Sequence, residues 1–369
     1  MLPPRRSSEF WGTSRIRIFI TGDQGYVGSV LAPYLLAQGH EVMGIDSGFH
    51  AHALLYQDRR LPPPSTAKDI RQLETQDLIG FDAVIHLAGL SNDPLGELMP
   101  LLTRDINFSG TLRTAIAARD AGVARFINFS SCAVYGGNCD EAKTELCATK
   151  PLTEYARCKL LSEAAIIQLA SDSFTVVSMR NATVFGPSPR MRFDLVLNNL
   201  AAQAWTSNEL ELESDGTPWR PLIHIRDLAR ATAVLLEAPS KLVNRQVFNV
   251  GDDCLNHQVH KIATAVSRAF GGCNLRIGSN DCDGRSYRVS FRKFRETFGF
   301  ACEQDLEMGA EELRQLFSLI KLTQADFESP LFNRLRRIKT LLLLQKVDTN
   351  LFWLDQPSNT VETACAIGV

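Results

Sequence analysis

Tyr155 and Lys159 stand four positions apart in Tyr155-Ala156-Arg157-Cys158-Lys159, and Ser131 precedes Tyr155 by 24 residues. On a helix that spacing puts both side chains on one face, so an ammonium can approach a phenol. A free phenol titrates near pH 10, so a tyrosine acting as a base near neutrality needs roughly 3 units of depression, about 4 kcal/mol. One cation at about 4 Å under an effective dielectric near 20 supplies energy of that order. With the Ser131 hydroxyl orienting the reacting oxygen, the three groups suit proton removal from an alcohol. A Tyr-x-x-x-Lys pair alone also occurs on ordinary amphipathic helices, so its meaning depends on the elements around it.

Those elements begin with the turn Thr21-Gly22-Asp23-Gln24-Gly25-Tyr26-Val27-Gly28, which follows the apolar run Ile16 to Ile20. The run reads as a buried parallel strand. After the turn, Val27, Val30, Leu31, Tyr34 and Leu35 recur at helical spacing. Gly22 permits the tight turn, Gly25 lets backbone approach a pyrophosphate, and Gly28 allows the helix to pack close to the strand. The first N–H groups of the helix, near Tyr26 and Val27, then favour phosphates.

A second apolar strand, Val42 to Ile45, ends in Asp46, 24 residues past Gly22. A carboxylate there accepts from both ribose hydroxyls and repels a 2′-phosphate, which selects NAD over NADP. Asp69, followed by Ile70, is placed at the adenine amine, although Leu61-Pro62-Pro63-Pro64-Ser65 before it makes a poor strand. Asp82 to Gly89 reads as another buried strand whose end, Leu87 and Ala88, lines the cofactor; His86 within it reads as a packed histidine. Arg125 to Phe129 is a further strand, delivering Ser130-Ser131-Cys132 to the carboxyl edge where open α/β sheets bind ligands.

Taken together, these motifs resemble the extended short-chain dehydrogenase/reductase superfamily, and within it the NAD-dependent nucleotide-sugar epimerase/dehydratase family. The resemblance covers roughly residues 15 to 315. It implies an α/β protein: a doubly wound Rossmann sheet over 15–185 and a second, smaller α/β substrate domain over 186–315, with some segments returning to the first. It also implies tightly held NAD, a nucleotide-sugar substrate and Ser131, Tyr155 and Lys159 as the catalytic trio.

Family members that dehydrate the sugar are similar to one another in a Thr-Asp-Glu run before Val-Tyr-Gly, where this chain has Ser131, Cys132 and Ala133. Decarboxylating members carry a glutamate at the Ala133 position. Small neutral residues there resemble the 4-epimerases, which oxidise the sugar to a 4-keto intermediate and reduce it on the opposite face. The rival reading is a 4-dehydrogenase or ketoreductase on a nucleotide-linked hexose or heptose. A non-catalytic dinucleotide-binding protein is disfavoured because Tyr155 and Lys159 are both kept.

The substrate half carries further resemblance. Arg180 to Gly186 resembles the link into the substrate domain and Leu197-Asn198-Asn199-Leu200 a nucleotide-contacting helix start, which makes Asn181 and Asn199 substrate-binding candidates. Arg192, Arg220 and Arg285 are candidates for the diphosphate, since a guanidinium fork suits phosphate geometry. The strings Ser188 to Leu195 and Asp283 to Tyr287 resemble a subgroup holding nucleotide-hexose epimerases and heptose 4-oxidases.

The 369 residues are 45% hydrophobic and 22% charged, enough for a full core in two substructures. A net charge of −2 from 39 basic and 41 acidic residues gives no electrostatic case for binding nucleic acid or membrane. No apolar stretch reaches the roughly 18 residues of a membrane span. Residues 1–14 read as a disordered lead or a misassigned start, without a secretory apolar core. Nine cysteines without metal-site spacing fit reduced thiols and a cytoplasmic location. His50 with His52 and His257 with His260 lack a supporting cysteine or carboxylate cluster, so no metal is expected. Residues 316–369 are expected to form a helical extension, its basic amphipathic part running from Phe332 through Lys339 to Leu344. Helices at about Leu101 to Ala121 and Glu154 to Ala170 offer apolar surface for a homodimer through a four-helix bundle.

Overall fold

The computed structural model describes residues 15–58, 60–137, 139–278 and 286–354. The expected lead over residues 1–14 lies outside the described residues, as does Arg285. Seven strands form one parallel sheet: β1 (Arg17–Thr21), β2 (Glu41–Asp46), β3 (Ser65–Ala67), β4 (Ala83–His86), β5 (Arg125–Ser131), β6 (Thr175–Asn181) and, much later in the chain, Gln246–Val250. Their order runs from Gln246–Val250 through β6, β5, β4, β1 and β2 to β3. The chain therefore builds outward from β1 on one side and returns to start the other side at β4. Ligands bind open α/β sheets at such a reversal, outside the carboxyl ends of the strands.

Every residue of β4 and β6 is buried, as are the first six of β5. Buried on both faces, their sequences show no alternation of apolar and exposed polar positions. Edge strand β3 pairs in register with β2, Ser65 against Gly44 and Ala67 against Asp46. The strand begins only at Ser65, after the prolines of the segment read as a poor strand, and Pro64 still contributes to the edge. Proline cannot donate to a ladder but its carbonyl still accepts, and Gly44 N–H donates to Pro64 O at 2.9 Å on this sheet edge.

Helix α1 (Gly28–Ala37) follows β1 directly. The expected helix 101–121 runs from Pro100 to Asp120, with a π-helical segment at Asp105–Gly110 leading into α2 (Thr111–Asp120). Helix α3 (Glu154–Ile166), N-capped by the Thr153 side chain accepting from Ala156 N–H, carries Tyr155 and Lys159. It continues as a short 3₁₀ turn to Leu169.

The second lobe starts inside the link region. Strand β7 (Thr183–Phe185) already pairs with β8 (Trp219–His224), slightly before the sequence boundary at 186. Around that small sheet pack α4 (Val196–Ser207), α6 (Val259–Ala269) and α7 (Leu306–Ile320), burying Phe185, Leu197, Leu222, Ile262, Leu313 and Phe317 in one cluster. Helix α5 (Ile225–Glu237) and strand Gln246–Val250 return to the large sheet. Helix α7 runs unbroken through the 315/316 boundary expected from sequence. Beyond it α8 (Arg334–Leu343) packs on the body, Ile338 and Leu341 joining the cluster that holds Phe49, Ile70 and Leu95.

Candidate active site

At the carboxyl edge of the large sheet lies a cleft of about 1420 Å³ between the two lobes. The turn from β1 to α1 forms its floor. Gly22 has φ +78°, and a Cβ there would meet Ala88 N at 2.9 Å. At Gly28 a Cβ would meet Gly22 O at 2.3 Å, so only glycine lets α1 start so close to its own strand. Asp46, at the tip of β2, sits in the same wall and accepts from Gly48 N–H at 2.8 Å. Burial raises its carboxyl above the usual range. Glycine cradle, helix start and carboxylate fit the pyrophosphate and ribose of a dinucleotide.

The trio stands deeper in the cleft. β5 brings Ser131 to the sheet edge, where its Oγ accepts from Ala133 N–H at 3.1 Å and also hydrogen-bonds Tyr155. Lys159 is buried and donates to Phe129 O at 2.7 Å, with Nζ 5.7 Å from the centre of the Tyr155 ring. Burial lowers the Lys159 ammonium to about 8. The Tyr155 phenol borders the cleft but is surrounded densely by protein, which pushes it up to about 12, Asp93 adding to the rise and Arg192 opposing it. Lys159 alone therefore does not deliver a phenolate in this state.

Gly22, Gly25, Tyr26, Val27, Gly28, Asp46, Asp69, Ile70, Leu87, Ala88, Ser131, Tyr155, Lys159, Asn181, Arg192, Asn199 and Arg220 all border this one cleft. Their side chains are not equally available. Tyr26 donates to Gly186 O at 2.7 Å and so pins the lobes together, leaving its backbone to the cleft. Asp69 is held by the Arg71 fork at 2.7 and 2.9 Å, which fixes the direction of its carboxylate at the cleft edge. Arg192 is paired to Asp194 at 2.8 Å and donates to Ser91. The Asn199 amide donates to Phe193 O, and Arg220 donates to Trp219 O. Asn181 differs: its buried Oδ1 has no hydrogen-bond partner, and the residue faces the cleft.

His86 bonds Thr21 and Thr111 through its two ring nitrogens at 2.8 and 2.9 Å and is fully buried, the packed histidine that its strand-end position suggests. Among the described residues no group of three or more His, Cys, Asp or Glu side chains is arranged to hold a metal ion.

Sequence reasoning missed three supports. Buried Glu163 accepts from Ser130 Oγ and from a bidentate Arg180 fork, bracing β5 and β6 beneath the trio. Its position four after Lys159 was the available signal. Asp93, beside Tyr155, accepts from Thr153 Oγ1 at 2.6 Å. The third is the rim from Asn333 to Ile338, whose extension carried no motif to mark it as part of the cleft.

Comparison with known proteins agrees with this architecture. The chain is 29% identical over 282 residues to UDP-glucose 4-epimerase of Yersinia pestis, covering 69% of this chain and 82% of that one. It is 25% identical over 267 residues to UDP-glucuronate 4-epimerase of Thermodesulfobacterium geofontis, covering 68% and 80%. The solved structure of MoeE5 in complex with UDP-glucose and NAD superposes with a TM-score of 0.70 at 26% identity, covering 82% of this chain and 99% of that one. A sequence model described as the NAD dependent epimerase/dehydratase family matches residues 18–251. With that match spanning more than half of its length, the chain belongs to the NAD dependent epimerase/dehydratase family, and NAD is its cofactor.

Proposed function

We propose that the protein is a nucleotide-sugar 4-epimerase in which Ser131, Tyr155 and Lys159 move the proton of the sugar's 4-hydroxyl. One observation carries the choice within the family. Ala133 presents a methyl to the cleft next to Ser131, and neighbouring Cys132 is fully buried with its thiol pushed far up by burial. Neither position offers a carboxyl to drive elimination or decarboxylation. The two relatives whose names are UDP-sugar 4-epimerases support the same reading.

Bound NAD would supply a reversible hydride acceptor beside the sugar. The chain's own work is to hold and move the proton. Tyr155 takes it from the hydroxyl, Ser131 fixes the oxygen's direction, and Lys159, anchored on Phe129 O, keeps a positive charge under the ring. Asn181 Oδ1 is an acceptor for a sugar hydroxyl. Arg192, Arg220 and Arg285 remain the proposed contacts to the nucleotide diphosphate, Asn199 a proposed contact to the nucleotide, and the glycine turn with Asp46, Asp69, Ile70, Leu87 and Ala88 the proposed NAD contacts.

The reading includes a homodimer and a cytoplasmic location. Ile116 and Leu112 on α2 with Leu161 and Ala164 on α3 leave apolar surface uncovered in the monomer. The free buried thiols of Cys132 and Cys158 suit a reducing compartment. No helix is long and apolar enough to cross a membrane among the described residues.

The test is to incubate the purified protein with a panel of UDP- and other nucleotide-linked sugars, following absorbance of NADH and the stereochemistry at C4. Epimerisation gives a C4 mixture with no net NADH. Stoichiometric NADH with a keto product would instead establish a dehydrogenase.

A further inference from the structure

The segment after α7 crosses from one lobe to the other. At its start Phe193 packs with Phe317, Phe327 and Phe332, and Phe193 N–H donates to Phe332 O at 3.0 Å. At its end it grips the β2 and β3 side of the sheet. Arg337 donates to Phe49 O at 2.8 Å, Trp353 Nε1 to Ser47 O at 2.6 Å, and the Arg71 guanidinium lies 3.9 Å from the centre of the Phe352 ring. These anchors sit on residues flanking Asp46 and Asp69, the adenosine end of the cleft. Between the anchors, Asn333, Arg334, Leu335, Arg336 and Ile338 border the cleft itself.

Arg334 is only 5% exposed, yet its Nη1 has no hydrogen-bond partner, and Nη2 has one long bond to Arg190 O at 3.4 Å. The acids in its field are already engaged. Asp194 is bonded by Arg192 and Asn92, and Asp46 by Gly48 N–H. Arg190 and Arg192 add positive charge, and burial lowers the guanidinium to about 9. His50, also bordering the cleft, is held neutral by burial and by the same arginines. A buried cation in positive company is costly unless an anion joins it. NAD brings one, since a dinucleotide with its ribose on Asp46 places its pyrophosphate next along the cleft, at the start of α1.

We propose that Arg334 is a pyrophosphate ligand of NAD, and that residues 332–353 form a strap holding the dinucleotide in place. The proposal rests on NAD being the cofactor. It assigns to the extension a share in cofactor retention, with one guanidinium facing the phosphates from the strap while the helix N–H groups face them from α1.

The experiment compares full-length wild type, Arg334→Met and Arg334→Lys. NAD per chain is measured after dialysis, and NAD release is timed against an excess of a competing dinucleotide. Loss of one charge-assisted contact should speed release roughly tenfold or more in Arg334→Met, with Arg334→Lys recovering part of the loss. Equal release from a folded Arg334→Met would overturn the contact. So would unchanged NAD retention with a raised KM for the nucleotide sugar, which would move Arg334 to the substrate diphosphate. Hydrogen exchange on the wild type decides the matter even if Arg334→Met does not fold: NAD should slow exchange across 332–353, and unchanged exchange there overturns the strap. A wild type that binds no NAD overturns the cofactor assignment as well, a different result from binding without protection.

Discussion

In the proposed role Tyr155 must lose a proton, yet burial and Asp93 hold its phenol up near 12 while Lys159 donates to a backbone carbonyl. The spacing to Lys159 was legible, but the sign of the local field was not, because burial belongs to the tertiary structure. In the proposed role, NAD bound with its nicotinamide near Tyr155 would supply the missing favourable charge. Tyr155→Phe removes only the hydroxyl, so turnover should fall by about 10² to 10⁴ with NAD content unchanged. Steady-state rates beside the NAD-to-chain ratio check this, and residual activity above roughly a tenth of wild type would end the assigned role. His86 offers a stability test. Burial lowers it to about 3, so the unfolded chain binds more protons between that pH and the ordinary histidine range. Stability then rises with pH through this window, and on acidification from neutrality it begins to be lost near pH 6.5. By pH 5 this histidine should have cost roughly 2 kcal/mol. Denaturant melts at pH 7 and pH 5 should show a shallower pH dependence for His86→Gln; identical slopes would show that His86 is not the group responsible.

The first strand, turn and helix were readable as a unit because each local preference agreed with the next: buried β-branched residues, three glycines, then helical periodicity. Gly28→Ala tests how tightly they are joined. A Cβ there would lie 2.3 Å from Gly22 O and 2.6 Å from Asp23 O, both backbone atoms that move only with the turn. The expected cost is about 1–3 kcal/mol of stability, with reduced NAD in the purified protein. Calorimetry and absorbance of released NAD measure the two, and a variant with wild-type melting and full NAD would show that the turn yields freely. Edge strand β3 is short because the prolines before it remove donors: it begins only at Ser65, with Pro64 serving as an acceptor for Gly44 N–H. The Glu163–Arg180 pair was invisible for another reason: its partners lie 17 residues apart on α3 and β6 and meet only when the helix packs on the sheet.

At the scale of the whole molecule, the outer face of α2 and α3 carries Leu161 at 38% exposure with Leu112, Ile116 and Ala164 nearby. Burying that face against a second copy would form the four-helix bundle and steady the helix that bears Tyr155 and Lys159. Leu161→Glu should shift the protein from twice its chain mass to a monomer by light scattering at micromolar concentration, because a carboxylate would be buried without a partner. A dimer unaffected by the change would place the interface elsewhere. What the sequence determined by itself is the chemistry: glycine turn, Asp46, Ser131, Tyr155 and Lys159 are read from residue types and short spacings that only local geometry needs to satisfy. The tertiary structure decided which of those groups are free. It pinned Tyr26 to Gly186, left Asn181 Oδ1 without a partner, and brought Arg334 from the far end of the chain to the cofactor cleft. Those outcomes depend on contacts between segments more than a hundred residues apart, or on burial, and no local pattern encodes either.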